Sequence, residues 1–119
     1  MLPLTVMLSV ATALTPIQTG SPAAPDCGFH EICVWSGTDY TGTKAFVESV
    51  GTPCLTASSL GLPAIRSVDD NHEYKVVTLF SDTACAVAAT PHYVGPTDSA
   101  RSVTPAARSV QLMPLPSVR

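Results

Sequence analysis

Four cysteines carry the plainest chemistry in this chain of 119 residues: Cys27, Cys33, Cys54 and Cys85. In a small exported domain, four thiols read as two disulfides. Three pairings are possible. Cys27 with Cys33 and Cys54 with Cys85 is the expected one, because residues flanking a strand start meet locally; the second bond then ties the two halves together. The histidines, His30, His72 and His92, are scattered. None stands in a helical pair or beside a cysteine at zinc-ligand spacing, so each reads as a surface imidazole. Hydrolysis would need a nucleophile, a base and an orienting group. His92, Asp98 and a serine are formal candidates, but no Gly-x-Ser-x-Gly elbow surrounds a serine. Asp69 and Asp70 precede Asn71 and His72, and this polar run reads as a solvated turn between two units, not as a catalytic pair. The expectation is a protein that is not an enzyme and that carries no metal or other cofactor.

Composition narrows the partners. Six Lys and Arg against nine Asp and Glu give a net charge of −3. Nucleic-acid binding needs a basic face that releases counterions, and this chain has none to offer. No polybasic run suits an anionic membrane. Residues 2–14 are apolar and uncharged, too short for a spanning helix of ~20 residues. They fit the apolar core of a secretory signal, with Ala11-Thr12-Ala13 as a cleavage site and Ala23-Ala24 as a second candidate. Residues 15–26 are a Pro-, Ser- and Ala-rich linker in which three prolines exclude helix and sheet interior. The expected organisation is a signal and disordered linker over 1–26, one domain over 27–112 with units of about 27–70 and 71–112, and a flexible tail over 113–119. A secreted domain of about 95 residues has a marginal core and benefits from disulfide staples. It is expected to be a monomer.

From Cys27 onward, short alternating runs are bounded by Gly, Pro, Asn and Asp, and no segment keeps a helical period. Ile32-Cys33-Val34-Trp35 reads as a strand. Residues 43–48 read as another, with Lys44, Phe46 and Glu48 facing one way and Ala45 and Val47 the other. Ser58-Ser59-Leu60 suits a short helical turn ended by Gly61 and Pro63. Residues 65–68 form a third strand. Residues 74–80 are the densest in β-branched and aromatic side chains. Residues 84–89 read as a strand or tight apolar loop, 91–99 as a loop with two prolines, and 100–103 and 107–112 as the last strands.

The halves repeat. Val34-Trp35-Ser36-Gly37 is answered by Leu79-Phe80-Ser81-Asp82, and Ala64-Ile65-Arg66-Ser67-Val68 by Ala106-Ala107-Arg108-Ser109-Val110. The offsets are 45 residues for the aromatic start and 42 for the serine strand. About four short strands per unit is the size of a Greek key, and two such units sharing a core make an all-β sandwich. Gly42 supplies a backbone conformation that a Cβ forbids, so the loop before it can fold over the sheet. Trp35 anchors the strand and Tyr40 packs on the loop. Ser67 and Ser109 each have a hydroxyl for the folded-over hairpin of their own unit. Arg66 and Arg108, at matching places, suggest an exposed sheet face or a salt bridge.

The pattern Trp35-x4-Tyr40-x-Gly42 followed by Ser67 resembles the βγ-crystallin Greek-key motif. The second unit matches only at Phe80 and Ser109; Cys85 stands where the second aromatic belongs and Val87 where the glycine belongs. Paired cysteines, an export signal and the length resemble the small secreted actinobacterial proteins of this fold, among them a family of inhibitors of thermolysin-type metalloproteinases. The resemblance implies a two-unit crystallin-like sandwich and, as a function, inhibition of an extracellular proteinase through a disulfide-fixed loop. Residues 81–88 are the expected loop, with Ala84, Cys85, Ala86 and Val87 at its centre. Cys85 is its staple, and the small apolar residues after it suit a thermolysin-type pocket. Microbial members of the fold often bind calcium through paired Asn or Asp residues before the serine strand. Here Leu62 to Arg66 and Thr104 to Arg108 lack those acids, each with an arginine beside the place; Asp98 is the best residue left, and calcium is not an expected partner. The alternative is a non-catalytic structural or interaction protein of the cell exterior, using exposed aromatics such as Tyr74 and Tyr93.

Overall fold

The computed structural model describes residues 24–48 and 51–115. The apolar stretch at 2–14, the cleavage sites, most of the linker and the last four residues lie outside the described residues. Among the described residues, eight strands form two four-stranded antiparallel sheets. They are β1 (Ile32–Trp35), β2 (Lys44–Phe46), β3 (Leu55–Thr56), β4 (Ser67–Asp70), β5 (Lys75–Phe80), β6 (Ala88–Val94), β7 (Asp98–Ala100) and β8 (Ser109–Pro114). One sheet runs β2-β1-β4-β7 and the other β3-β8-β5-β6. Each half therefore supplies three strands to its own sheet and one to its partner: β3 crosses from the first half, β7 from the second. Neither half closes its sheet without the other, which is how two units of about 40 residues build one core.

The core follows from the alternation of each strand. Ile32 and Val34 of β1, Val68 of β4, Val77 and Leu79 of β5, and Val110 and Leu112 of β8 meet between the sheets. Leu62, Ile65, Val103 and Ala107, from outside the strands, are buried in the same cluster. Val47 is buried while Phe46 and Glu48 are exposed, so the alternation expected over 43–48 continues past the end of β2. Residues Ser58–Leu60 form one 3₁₀ turn, ended by Gly61 in the left-handed region at φ +84°.

Three expectations are corrected. Residues 91–99 are not a loop: β6 runs through Pro91 to Val94, and β7 begins at Asp98. β6 is an edge strand, where a missing N–H costs no ladder bond. Of the two readings open for residues 84–89, the loop holds for 84–87 and the strand begins at Ala88. Asp69 and Asp70 are not a solvated turn but the end of β4, paired with Cys33 and Ile32 on one side and with Ser99 and Asp98 on the other. Neighbours on both flanks outweigh the poor strand propensity of aspartate, and Asp70 is wholly buried. At the C-terminal end, Met113 and Pro114 pair with Val76 and Lys75, so β8 continues past residue 112 into the expected tail.

Both cysteine pairs are joined as expected. Cys27 bonds Cys33, six residues on, and Cys54 bonds Cys85 across 31 residues. The first bond fastens the entry of the chain to β1. The second fastens the approach to β3 to the loop between β5 and β6, so it links chain from both halves.

Candidate functional site

The two units place one folded hairpin each over their sheets, and they hold it with the same device. In the first unit, the Ser67 hydroxyl donates to Gly37 O at 2.7 Å and accepts the Tyr40 N–H at 2.9 Å. In the second, the Ser109 hydroxyl donates to Asp82 O at 2.6 Å and accepts the Cys85 N–H at 3.1 Å. Gly37 and Asp82, and Tyr40 and Cys85, keep the 45-residue offset seen between Trp35 and Phe80. Both serines are fully buried. Each hydroxyl is the pin that fixes a hairpin to the strand below it.

The corner residue of each hairpin is left-handed: Tyr40 at φ 61° and Cys85 at φ 54°. Residues with a Cβ resist this conformation, so something must hold it. In the first unit the ring of Tyr40 meets Trp35 edge-on, centroids 5.3 Å apart. Gly42, at φ +85°, then lets the chain pass over Ser36, whose hydroxyl accepts the Thr43 N–H at 2.9 Å. In the second unit there is no aromatic at the corner. The disulfide to Cys54 holds it instead, and Phe80 packs edge-on against His92 at 5.2 Å.

A further organiser of the second hairpin is Asp82. One carboxylate oxygen accepts the N–H groups of Ala86 and Val87, each at 3.0 Å; the other accepts that of Ala84 at 3.3 Å. The amides of Val87 and Ala86, with that of Ala84, hold its carboxyl below the usual carboxylate range. Ser81 N donates to Val87 O at 2.7 Å and closes the loop. Residues 81–87 are thus tied by a carboxylate, a serine hydroxyl and a disulfide, yet Thr83, Ala84, Ala86 and Val87 face solvent, as does Ala88 at the start of β6. Val87 is 55% exposed. An ordered loop that shows small apolar side chains outward is suited to entering a cleft, not to forming one. Sequence reading passed over Asp82, although an aspartate followed by small residues is the signal of a side chain that bonds the backbone ahead of it.

The remaining sequence candidates are dispersed. His92 Nδ1 bonds Leu79 O at 2.9 Å, which occupies that nitrogen. Asp98 Oδ1 accepts the Ser99 N–H at 2.9 Å. Tyr74 and Tyr93 are exposed, at 62% and 64%. Arg66 forms no carboxylate pair among the described residues; its guanidinium donates to Ser36 O at 3.0 Å. Cys27, Glu31 and Cys33 lie within 4.8 Å of one another, but disulfide sulfurs have no thiolate to give a metal. A surface hollow of ≈ 290 Å³ is lined by His30, Glu31, Ile32, Phe46, Val47 and Glu48, in the other sheet from the loop. Among the described residues no helix is long and apolar enough to cross a membrane.

Comparison with known proteins agrees with this architecture. The crystal structure of the N-terminal domain of Protein S, a βγ-crystallin-like Greek-key domain, superposes with a TM-score of 0.52 at 18% identity, over 73% of this chain and 99% of that one. At that identity the likeness is one of fold, and the fold here is βγ-crystallin-like. No curated protein matches the sequence. The family model described as peptidase inhibitor family I36 matches residues 20–90, a span that takes in the Trp35 hairpin, Ser67 and the loop closed by Cys85.

Proposed function

The chain belongs to peptidase inhibitor family I36, and from that premise we propose that it is a secreted, non-catalytic inhibitor whose loop at 81–88 enters the cleft of a metalloproteinase. The observation that carries this reading is the loop itself: exposed along its apolar side chains and fixed at both ends and at its corner. A loop already held in its bound shape loses little conformational freedom on docking, so more of its contact energy appears as affinity.

The left-handed Cys85 makes the corner, and the segment offered beyond it is Ala86-Val87-Ala88. Val87 is the one sizeable apolar side chain of that segment and fits an apolar pocket on the peptidase. Were the Ala86–Val87 bond hydrolysed, neither new end would leave. Cys85 stays bonded to Cys54, and Val87 runs directly into β6. The Asp82 carboxylate holds the nitrogens on either side of the cut. A cleft that cannot shed its product stays occupied.

The test is inhibition by the purified mature protein, first of a thermolysin-type metalloproteinase and then of a subtilisin-type serine proteinase. Inhibition that Val87→Asp abolishes without changing the melting temperature supports the loop. Activity of both peptidases left intact at micromolar excess overturns it and favours the exterior-binding alternative, for which Tyr74 and Tyr93 are the exposed surface.

A further inference from the structure

Arg66 and Arg108 occupy the same place in the two units, yet only one of them is used by the fold. Arg66 N donates to Trp35 O at 2.8 Å, and Arg108 N donates to Phe80 O at 2.8 Å. Each arginine is exposed between two buried residues, Ile65 and Ser67 in one case, Ala107 and Ser109 in the other. The backbones are therefore equivalent, and the side chains start from equivalent points beside their hairpins. Arg66 spends its guanidinium on the base of the first hairpin, at Ser36 O. Arg108 makes no side-chain hydrogen bond and no ion pair among the described residues. Arg101, the other described arginine, pairs with Asp39 at 3.1 Å. Arg108 alone of the three is left open, and it is the one beside the displayed loop.

We propose that Arg108 is a specificity-determining contact of the inhibitor, reaching a carboxylate on the rim of the peptidase cleft when residues 81–88 are docked. This rests on the loop reading above and adds the kind of peptidase it selects: one with an Asp or Glu beside its substrate cleft. Position supports it. Arg108 precedes Ser109, whose hydroxyl pins the loop at Asp82 and Cys85, and its own N–H donates to Phe80 O just before the loop, so its exposed side chain starts from the loop's own anchor. Chemistry supports it too. The one acid in residues 81–88, Asp82, is already engaged by three amide N–H groups and offers no competing fork. A guanidinium presents paired donors that match a carboxylate bidentately, and arginine is over-represented among residues that dominate binding energy. The protein as a whole carries −3. An acid-rimmed partner is thus not drawn in by net charge, and the attraction must come from a local cation.

The experiment measures inhibition constants against the thermolysin-type metalloproteinase and the subtilisin-type serine proteinase, at low and high salt, for wild type, Arg108→Lys, Arg108→Gln and Arg108→Glu, with Arg66→Gln as the control. Against a susceptible peptidase, Arg108→Gln is expected to weaken inhibition about tenfold at low salt, Arg108→Glu more, and Arg108→Lys less. The gap to wild type should narrow at high salt, since an exposed pair is screened. Melting temperatures of the Arg108 variants should match wild type, whereas Arg66→Gln should lower the melting temperature and leave the inhibition constant near wild type. Equal inhibition by wild type and Arg108→Glu overturns the proposal while leaving the loop reading intact. A loss that is the same at both salt concentrations also overturns it, because it would come from the side chain's apolar stem. Wild type that inhibits neither peptidase removes both readings together.

Discussion

Asp70 should make this domain less stable as pH rises toward neutrality, and Asp70→Asn should remove the larger part of that dependence. The side chain is wholly buried at the end of β4. Oδ1 accepts the His72 N–H at 3.0 Å, while Oδ2 has no partner among the described residues. Burial is the main cause that lifts its pKa from 3.8 to about 7; the His72 amide works against the rise, and the nearby Asp69 and Asp98 add to it. A raised folded-state pKa means that the native state holds a proton which the unfolded chain has released. Between pH 4 and 7, stability therefore falls with rising pH, and above 7 the loss is complete. Roughly 3 units at about 1.4 kcal/mol each give a loss of ~4 kcal/mol. Asp69, also raised by burial and by Asp98, adds to the fall in the same direction. Asp82 acts oppositely: its depressed pKa gives stability that is present above pH 4 and lost below it. An amide at position 70 keeps the acceptor for the His72 N–H and cannot ionise. It leaves N–H donors beside the unpartnered position, a cost of about 1–3 kcal/mol that is the same at both ends of the range. The decisive quantity is thus the difference between pH values. Urea unfolding of wild type and Asp70→Asn at pH 4, 6 and 8 should show the variant gaining ~4 kcal/mol on wild type from the lowest pH to the highest. A stability difference that is equal at pH 4 and pH 8 would refute an ionised, uncompensated Asp70.

Three further outcomes follow from the hairpins. Ser67→Ala and Ser109→Ala should each cost about 1–3 kcal/mol in chemical denaturation, because each strands a backbone carbonyl and an N–H. Only Ser109→Ala should also weaken inhibition, as it alone frees residues 81–88 from the sheet. Gly42→Ala should destabilise by about 2 kcal/mol or more: φ +85° is strained for alanine, and the new Cβ would meet the Ser36 hydroxyl that accepts the Thr43 N–H. Replacing Cys54 and Cys85 together by serine should cost about 3–4 kcal/mol by the chain-entropy relation for a 31-residue separation. The double variant should retain the fold's circular dichroism at low temperature and lose inhibition.

What could be read in the sequence was what lies within a few residues along the chain. Trp35, Tyr40 and Gly42 define a hairpin by local spacing, and Ser67 joins them because a second copy, at Phe80 and Ser109, repeats the interval. The short-range disulfide was legible for the same reason. What was not legible depends on neighbours far away in the chain. Pro91 breaks a strand by its own chemistry, and only its place on a sheet edge permits β6 to pass through it. Asp69 and Asp70 look like turn residues until β1 and β7 flank them. The exchange of β3 and β7 between sheets leaves no local mark, since each is two or three residues long. Asp82 and the guanidinium of Arg66 act on the backbone of loops whose path the sequence does not spell out.

The broken copy of the motif is where the fold and the proposed function meet. A hairpin folded over a sheet needs its corner residue held left-handed. Tyr40 meets that need by packing its ring on Trp35, which draws the first hairpin toward the sheet; the residues left outside are Thr38, Asp39, Thr41, Gly42 and Thr43. Cys85 meets it through a covalent bond that buries no ring, and here alanines and a valine are left outside. Apolar side chains at a corner held by packing would be pulled inward with it. Held by a disulfide and by the Asp82 carboxylate, they stay outward and ordered at once. Restoring the first unit's corner in the second should therefore separate the two roles. With Cys85→Tyr and Cys54→Ser, the new ring has Phe80 to pack against and Ser109 to pin its amide, so the β-sheet signature should survive. Inhibition should fall, because the loop gives up its outward apolar face. A variant that folds and inhibits as wild type does would show that the disulfide contributes stability alone, and that display of Val87 does not depend on it.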